Sequence, residues 1–223
     1  MRAEFGAKMI GVMGGTFDPV HFGHLRAALE VRESLDLNEL RLVPAREPPH
    51  RAMPVASAEL RLLMLRCAIR SQAGLLVDTR EIERHGPSYT YDTLYSMREE
   101  RPHENLGLIL GTDAFCGLRG WYRWPELRKL AHFIVVHRPG CEIRMSEDFA
   151  RQNGLPIANR IEDLWRNPAG CVIFQKVTQL DISSTAIREM IRQNKSPEFL
   201  LPEAVIEFIT EQHLYRSGKP PCG

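Results

Sequence analysis

Six short runs of residues, each apolar on both of its alternating faces, are the feature that most constrains the fold of this chain. They are rich in β-branched and aliphatic side chains and lie at residues 9–13, 40–43, 75–77, 106–110, 133–136 and 172–174. A strand with two apolar faces must be covered on both, and in proteins helices packed on a parallel sheet provide that cover. These runs therefore predict strands buried between helices.

Helical patterns separate the apolar runs. The clearest covers residues 57–71, where apolar residues recur every three or four positions behind Ser57, a common helix-capping residue. We expect further helices at 23–35, 90–100, 125–131, 184–194 and 203–213. This alternation predicts an α/β fold with a doubly wound, mostly parallel sheet and helices on both faces. The polar stretch 141–170, broken by glycine and proline, is expected to leave the sheet and to contain two short helices.

Length and composition fit one domain over residues 1–223. The 29 Lys+Arg and 28 Asp+Glu residues give a net charge of +1, which provides no general attraction for nucleic acid.

The apolar runs are too short to span a bilayer, and the first residues lack the apolar segment of a secretory signal. Five cysteines without a C-x-x-C pair fit a reducing compartment. We expect a cytoplasmic protein without membrane or nucleic-acid partners, and the pattern specifies no oligomeric state.

The segment GGTFDPVHFGH, residues 14–24, lies between the first predicted strand and the first predicted helix. Glycines at such a turn let backbone N–H groups approach an anion, and the positive N-terminus of the helix adds attraction. The segment contains neither the G-x-G-x-x-G pattern nor the G-x-x-x-x-G-K-[ST] pattern. It predicts a phosphate site that is neither a dinucleotide fingerprint nor a Walker loop.

His21 and His24 stand three residues apart in this segment. A zinc pair is one interpretation, although no third ligand follows at a recognisable spacing. A structural role at the start of a helix is another. The third interpretation, contact with phosphate, is favoured by the neighbouring glycines and by a second candidate anion site.

That second site is the segment DISSTAIR, residues 181–188, which follows the last predicted strand. Hydroxyl residues at a helix start are ordinarily caps, but Arg188, expected in the first turn at the positive end of a helix, indicates an anion bound there. Ser183, Ser184 and Thr185 add hydroxyl groups that can contact phosphate oxygens. Two such sites at the carboxyl ends of parallel strands predict a triphosphate held between them.

The two segments together resemble the H-x-G-H and I-S-S-T-x-x-R motifs of the nucleotidylyltransferase superfamily. Five middle segments make the chain similar, more narrowly, to the bacterial nicotinate mononucleotide adenylyltransferase family. They are PPHR at 48–51, PSYTYDTL at 87–94, GTDAF at 111–115, WYRW at 121–124 and HRPG at 137–140. The resemblance extends over nearly the whole chain.

The resemblance implies transfer of the adenylyl group of ATP to nicotinate mononucleotide, forming deamido-NAD and pyrophosphate, with Mg²⁺ carried by ATP and no metal site in the protein. It also implies that residues 181–216 complete the phosphate site. Two alternatives stay open: another phosphomonoester acceptor, such as nicotinamide mononucleotide or phosphopantetheine, or a non-catalytic ATP sensor.

The motifs and the resemblance together assign three groups of residues. The expected catalytic residues are His21, His24 and Arg188. The expected ATP-binding residues are Gly14, Gly15, Thr16, Phe17, Gly111, Asp113, Ser183, Ser184 and Thr185. The expected mononucleotide-binding residues are His50, Arg51, Thr90, Trp121 and Tyr122.

Several of these residues have simpler structural alternatives. Thr90 can cap the helix predicted at 90–100, and Asp113 can cap a helix that begins at residue 114. Trp121 and Tyr122 can be ordinary core or surface aromatics, and His50 can be an exposed residue without a role.

Two positions differ from the family pattern. Arg51 stands where the family commonly has Lys, and Ala45, which lacks a side-chain amide, stands where it commonly has Asn. Outside the motifs, we expect structural roles for the histidines and a solvated helix face for three arginines. These residues are His85, His103, His132 and His213, and Arg61, Arg66 and Arg70.

Overall fold

The computed structural model describes residues 9–49, 52–137, 143–178 and 180–216. Within these residues, seven strands form one sheet in the order β3-β2-β1-β4-β5-β7-β6, and every pairing is parallel. The strands are β1 Met9–Gly15, β2 Glu39–Pro44, β3 Leu75–Val77, β4 Asn105–Gly111, β5 His132–His137, β6 Ile157–Ala158 and β7 Val172–Lys176. All six predicted strands are therefore present.

Ten α-helices and one 3₁₀ turn, at Leu118–Gly120, lie in the same described residues. The helices are α1 Phe22–Ser34, α2 Ala58–Ile69, α3 Arg80–Glu83, α4 Thr90–Glu100, α5 Thr112–Cys116, α6 Trp124–Leu130, α7 Arg144–Gln152, α8 Ile161–Leu164, α9 Ser184–Arg192 and α10 Glu203–Glu211. None of them is both long enough and apolar enough to cross a membrane.

Both faces of the sheet are buried, as the doubly apolar strands require. In β5, Phe133 and Val135 pack into a core that includes residues of α4, α5, α6 and α7. The alternate residues, Ile134 and Val136, pack into a second core that includes residues of α1, α2, α9 and α10. Alternation of this kind follows from the two-residue period of a strand. The predicted fold class is confirmed, and the sheet is parallel throughout.

The stretch 141–170 departs from its prediction. It contains two short helices, α7 and α8, as expected, but it also returns to the sheet through β6. Ile157 and Ala158 pair with Val172 and Ile173 of β7 and so add a strand at the edge of the sheet. A strand of two residues is too short to produce a recognisable alternating pattern, which is why the sequence did not reveal it.

The strand order places a crevice beside β1. From β1 the chain builds the sheet outward to β2 and β3, and then returns to the other side of β1 with β4. In open parallel sheets, ligands bind at the carboxyl ends of the strands where the order reverses in this way. Gly15 ends β1 and Gly111 ends β4, so the fold positions both residues at this crevice.

Candidate active site

The loop from β1 to α1 turns tightly around Phe17. A Cβ atom on Gly15 would lie 2.8 Å from the Phe17 ring, so only glycine fits there. A Cβ atom on Gly14 would meet nothing within 4 Å, and the backbone at Gly14 is therefore accessible to a ligand. The Phe17 side chain is 1% exposed. Of Phe17, only the backbone is left to contact a nucleotide.

His21 and His24 lie together at the start of α1. His21 is the N-cap residue, and the two rings stack with their centroids 3.7 Å apart. The backbone N–H of His21 donates to Nδ1 of His24 at 3.4 Å. Because Nδ1 accepts this bond, the neutral His24 ring carries its proton on Nε2, which makes Nε2 a hydrogen-bond donor.

His21 is held in its neutral form. The residue is 5% exposed, and burial lowers its pKa to about 4. Its Nδ1 atom is buried and has no hydrogen-bond partner among the described residues. A Cβ atom on Gly23 would lie 3.0 Å from the His21 ring, so the glycine of the H-x-G-H motif makes room for the imidazole.

The N-terminus of α9 packs directly against this loop. The Ser184 hydroxyl donates to the Pro19 carbonyl at 2.9 Å, and the Ser183 hydroxyl accepts from the Ala186 N–H at 3.2 Å. The two predicted phosphate segments therefore meet in the fold. The Ser184 hydroxyl therefore uses its proton inside the protein. Thr185 is exposed.

Arg188 lies in the second turn of α9, not in its first turn as the sequence suggested. Its guanidinium donates to the Asp18 carbonyl at 2.6 Å and to the Thr185 hydroxyl at 3.4 Å. It also forms an ion pair with the Asp18 carboxylate, with Nη1 3.7 Å from Oδ2. The side chain remains 26% exposed. The cation is thus fixed beside the phosphate loop while part of it stays accessible to a ligand.

Asp18 is a central residue to which the sequence analysis gave no role. Its carboxylate is 3% exposed and accepts hydrogen bonds from the Val55 N–H at 2.8 Å and the Ala56 N–H at 3.2 Å. The Tyr215 hydroxyl, from the end of the described chain, donates to it at 2.7 Å. The position of Asp18 inside the first motif was a local signal for a role at the site, whereas nothing in the sequence pointed to Tyr215.

Gly111 and Asp113 lie at the end of β4, on the other side of the crevice. Helix α5 begins at Thr112 with Gly111 as its N-cap, so the alternative that Asp113 caps a helix beginning at residue 114 is wrong. The Asp113 side chain is exposed. A Cβ atom on Gly111 would meet nothing within 4 Å, so this turn is also accessible.

The predicted mononucleotide residues lie at the start of α4 and in the segment before α6. Thr90 is the first residue of α4 and Tyr89 is its N-cap, so the alternative that Thr90 caps this helix is wrong. Tyr122 is 46% exposed and stacks on Tyr89 with the ring centroids 4.4 Å apart. Trp121 packs partly against the core. His50 and Arg51 lie outside the described residues.

Arg61 contradicts the expected solvated helix face. Arg66 and Arg70 are exposed, whereas Arg61 is 1% exposed and is the largest of the fully buried side chains. Met64 and Leu65, both fully buried, follow it by three and four residues. That spacing places Arg61 on the core face of α2 and was the signal that the sequence contained.

The site as a whole is suited to polyanions. Two helix N-termini, a stacked histidine pair and a fixed guanidinium border a crevice at the carboxyl ends of parallel strands. Within 9–49, 52–137, 143–178 and 180–216, no group of three or more His, Cys, Asp or Glu side chains could hold a metal ion. Backbone donors, imidazoles and one arginine are the groups that bind and orient phosphates. The arrangement is that of an α/β protein of the nucleotidyl-transfer class.

Comparison with known proteins gives the family. Residues 12–190 match the cytidylyltransferase-like family, and the chain belongs to that family. A Methylococcus capsulatus protein described as a probable nicotinate-nucleotide adenylyltransferase is 50% identical over 208 residues, which are 93% of this chain and 99% of that protein. A Halorhodospira halophila protein of the same description is 47% identical, over 93% of this chain and 95% of that protein. The family membership predicted from the motifs is confirmed.

A solved structure shares the fold of this chain. The nicotinic acid mononucleotide adenylyltransferase of Plasmodium falciparum, complexed with NaAD, superposes with a TM-score of 0.72. The match covers 93% of this chain and 97% of that chain at 19% sequence identity. At that identity the comparison establishes a common fold.

The buried histidines predict a pH-dependent stability. His132 in β5 is fully buried, its Nδ1 accepts from the Cys171 N–H at 3.2 Å, and burial lowers its pKa to about 4, as it does for His21. In the unfolded chain each histidine regains a pKa of about 6.5. Above that pH both histidines are neutral in the folded and in the unfolded protein, and they do not lower the free energy of unfolding. As the pH falls from about 6.5 towards 4, the unfolded chain binds protons that the folded protein does not, and each histidine lowers the free energy of unfolding by about 1.4 kcal/mol per pH unit.

Urea denaturation between pH 5 and pH 7.5 measures this dependence. H132Q should show a shallower pH slope than the wild type, because one of the two protons is no longer taken up on unfolding. His103 is exposed, and H103Q should keep the wild-type slope. Equal slopes in H132Q and the wild type would show that His132 does not contribute.

Proposed function

We propose that the protein transfers the adenylyl group of ATP to nicotinate mononucleotide, forming deamido-NAD and pyrophosphate in NAD biosynthesis. The observation that carries the proposal is the meeting of the two motif segments, where α9 contacts the β1–α1 loop through Ser184 and Arg188. The choice of acceptor is supported by relatives at 50% and 47% identity that are described as nicotinate-nucleotide adenylyltransferases.

The ATP phosphates are proposed to lie between the start of α1 and the start of α9. The backbone at Gly14, Gly15, Thr16 and Phe17, together with Ser183, Ser184 and Thr185, would surround the triphosphate. His24 would donate from Nε2 to charge that develops on the α-phosphate, and neutral His21 supports it by stacking. Arg188 would hold the departing pyrophosphate. Gly111 and Asp113 would contact the nucleoside, where a carboxylate can accept from ribose hydroxyls.

The acceptor needs no general base in this mechanism. A phosphate monoester has a second pKa of about 6 and is therefore largely ionised at neutral pH. Catalysis then consists of placing two anions in line and compensating the charge that develops on the α-phosphate and on pyrophosphate. The donors gathered at the crevice are suited to both tasks.

The mononucleotide is proposed to bind at the start of α4. The positive end of this helix, at Thr90, favours the carboxylate of nicotinate over the uncharged carboxamide of nicotinamide. Tyr122 offers a flat ring for stacking on the pyridine. One of its faces is covered by Tyr89, so a pyridine ring would use the other face or displace Tyr89. Trp121, His50 and Arg51 are proposed to complete the site.

Mg²⁺ is proposed to enter with ATP. The described residues offer no cluster of carboxylates for the ion, so phosphate oxygens and water would supply its ligands. Bound in this way, Mg²⁺ neutralises phosphate oxygens.

Residues 1–223 are proposed to act as one catalytic domain, completed by the helical portion 181–216. Three contacts support this proposal, because α9 and the end of the chain both reach the β1–α1 loop. They are Ser184 to Pro19, Arg188 to Asp18 and Tyr215 to Asp18.

A panel of acceptors tests the function. The protein is mixed with Mg-ATP and, separately, nicotinate mononucleotide, nicotinamide mononucleotide and phosphopantetheine, and pyrophosphate release is measured. The highest kcat/KM is expected for nicotinate mononucleotide. Equal rates with the amide would contradict the role given to the start of α4. ATP binding without product from any acceptor would instead identify a sensor.

Removing the His24 imidazole should slow chemistry without unfolding the protein. Loss of one donor to developing charge typically costs about 10²- to 10³-fold in kcat, and we expect that loss for H24A. H103A, which removes an exposed histidine, serves as the matched control. Unchanged turnover in H24A would exclude the assignment, and a variant that does not fold would show a structural role.

Removing the Arg188 guanidinium should weaken ATP and pyrophosphate binding and spare the mononucleotide. A hydrogen bond to a charged group contributes about 1.5 to 3 kcal/mol, so the Kd for ATP is expected to rise about 10- to 100-fold in R188A. R192A, one turn further along α9, is the control. Calorimetric titration with each ligand decides the matter, and an unchanged ATP affinity in R188A would show that Arg188 does not serve the triphosphate.

A further inference from the structure

The guanidinium of Arg61 bonds to four backbone carbonyl groups in the interior. Nη1 donates to Thr16 O at 2.7 Å and to Ala45 O at 2.6 Å. Nη2 donates to Arg46 O at 3.2 Å, and Nε donates to Ala56 O at 3.1 Å. A buried cation is costly unless its donors are satisfied, and here the rigid fork of an arginine is matched to four acceptors.

These carbonyls belong to the two loops that follow the neighbouring strands β1 and β2. Thr16 lies in the phosphate loop after β1. Ala45 and Arg46 begin the loop from β2 to α2, and Ala56 lies near its end. Arg61 therefore ties the phosphate loop to both ends of the β2–α2 loop, although 45 residues separate it from Thr16.

The β2–α2 loop is in turn tied to the start of α4. The Ser88 hydroxyl accepts from the Arg46 N–H at 2.8 Å and from the Glu47 N–H at 3.2 Å, and the Ser88 N–H donates to Glu47 O at 2.9 Å. Ser88 is buried and stands two residues before Thr90. A continuous set of hydrogen bonds thus runs from Thr16, through Arg61 and this loop, to the start of α4.

We propose that Arg61 is a positioning residue that fixes the spacing between the phosphate loop and the start of α4. This inference rests on the proposed function, in which ATP binds at the first of these elements and the mononucleotide at the second. Arg61 contacts neither substrate in this account. It holds the ATP site and the mononucleotide site at the distance that in-line transfer needs. A displacement of about 1 Å between the reacting groups can lower the rate about 10²-fold.

The substitution R61K tests the proposal, because lysine keeps the charge and much of the length of the arginine side chain but replaces its planar fork by a single ammonium group. In R61K the ammonium has three donors for four carbonyls that lie in different directions. R66K, on the exposed face of the same helix, is the matched control. S88A breaks the next link of the same set and is a second, milder variant.

The measurement is kcat per ATP-binding site, with the number of sites and the ATP Kd taken from calorimetry on the same preparation. A purely structural role would reduce the number of sites and leave the rate per site unchanged. We expect R61K to lower the rate per site about 10- to 100-fold while the ATP Kd changes less than about threefold, and S88A to act in the same direction.

The outcomes separate this inference from the proposed function. A rate per site within about threefold of the wild type in R61K would overturn the positioning role, as would a loss explained wholly by weaker ATP binding. If R61K does not fold, S88A decides: a lowered rate per site supports the proposal, and an unchanged rate overturns it. A wild-type protein inactive with nicotinate mononucleotide would instead refute the proposed function, whatever the variants show.

Discussion

The buried carboxylate of Asp18 is the group on which the geometry of the site depends. It accepts from two backbone N–H groups at the end of the β2–α2 loop and from the Tyr215 hydroxyl, and it pairs with Arg188. Burial and this carboxylate together raise the pKa of Tyr215, so the phenol keeps its proton and donates it. Three stretches of chain that are far apart in sequence thereby meet at one residue of the phosphate loop.

Asp18 and Arg61 both link the phosphate loop to the β2–α2 loop, through different backbone groups. The carboxylate accepts from two N–H groups at the end of the β2–α2 loop, and the guanidinium donates to carbonyls at both ends of the same loop. A buried charge is tolerated only when such hydrogen bonds replace its hydration. The result is a rigid scaffold under groups that must be placed accurately for transfer between two bound anions.

Hydrophobic pattern and local turn chemistry were enough to predict much of this structure. The six doubly apolar runs gave the parallel sheet, Ser57 caps α2 as expected through a bond from the Leu60 N–H, and the two motif segments meet. The pattern failed where the deciding partner is remote. Two helix caps were also misassigned, because the N-cap residues are Tyr89 for α4 and Gly111 for α5 instead of Thr90 and Asp113.

The sequence by itself determined the fold class, the family and the residue types that gather at the carboxyl ends of the strands, because periodicity and motif spacing are properties of neighbours along the chain. Only the tertiary structure decided which groups satisfy the buried charges. Arg61 stands in the same helix as two exposed arginines, and what distinguishes it is four carbonyls from three other stretches of chain. The spacing of Arg61 to Met64 and Leu65 indicates the core face of α2, but the acceptors of its guanidinium come from distant segments, and local patterns do not record them.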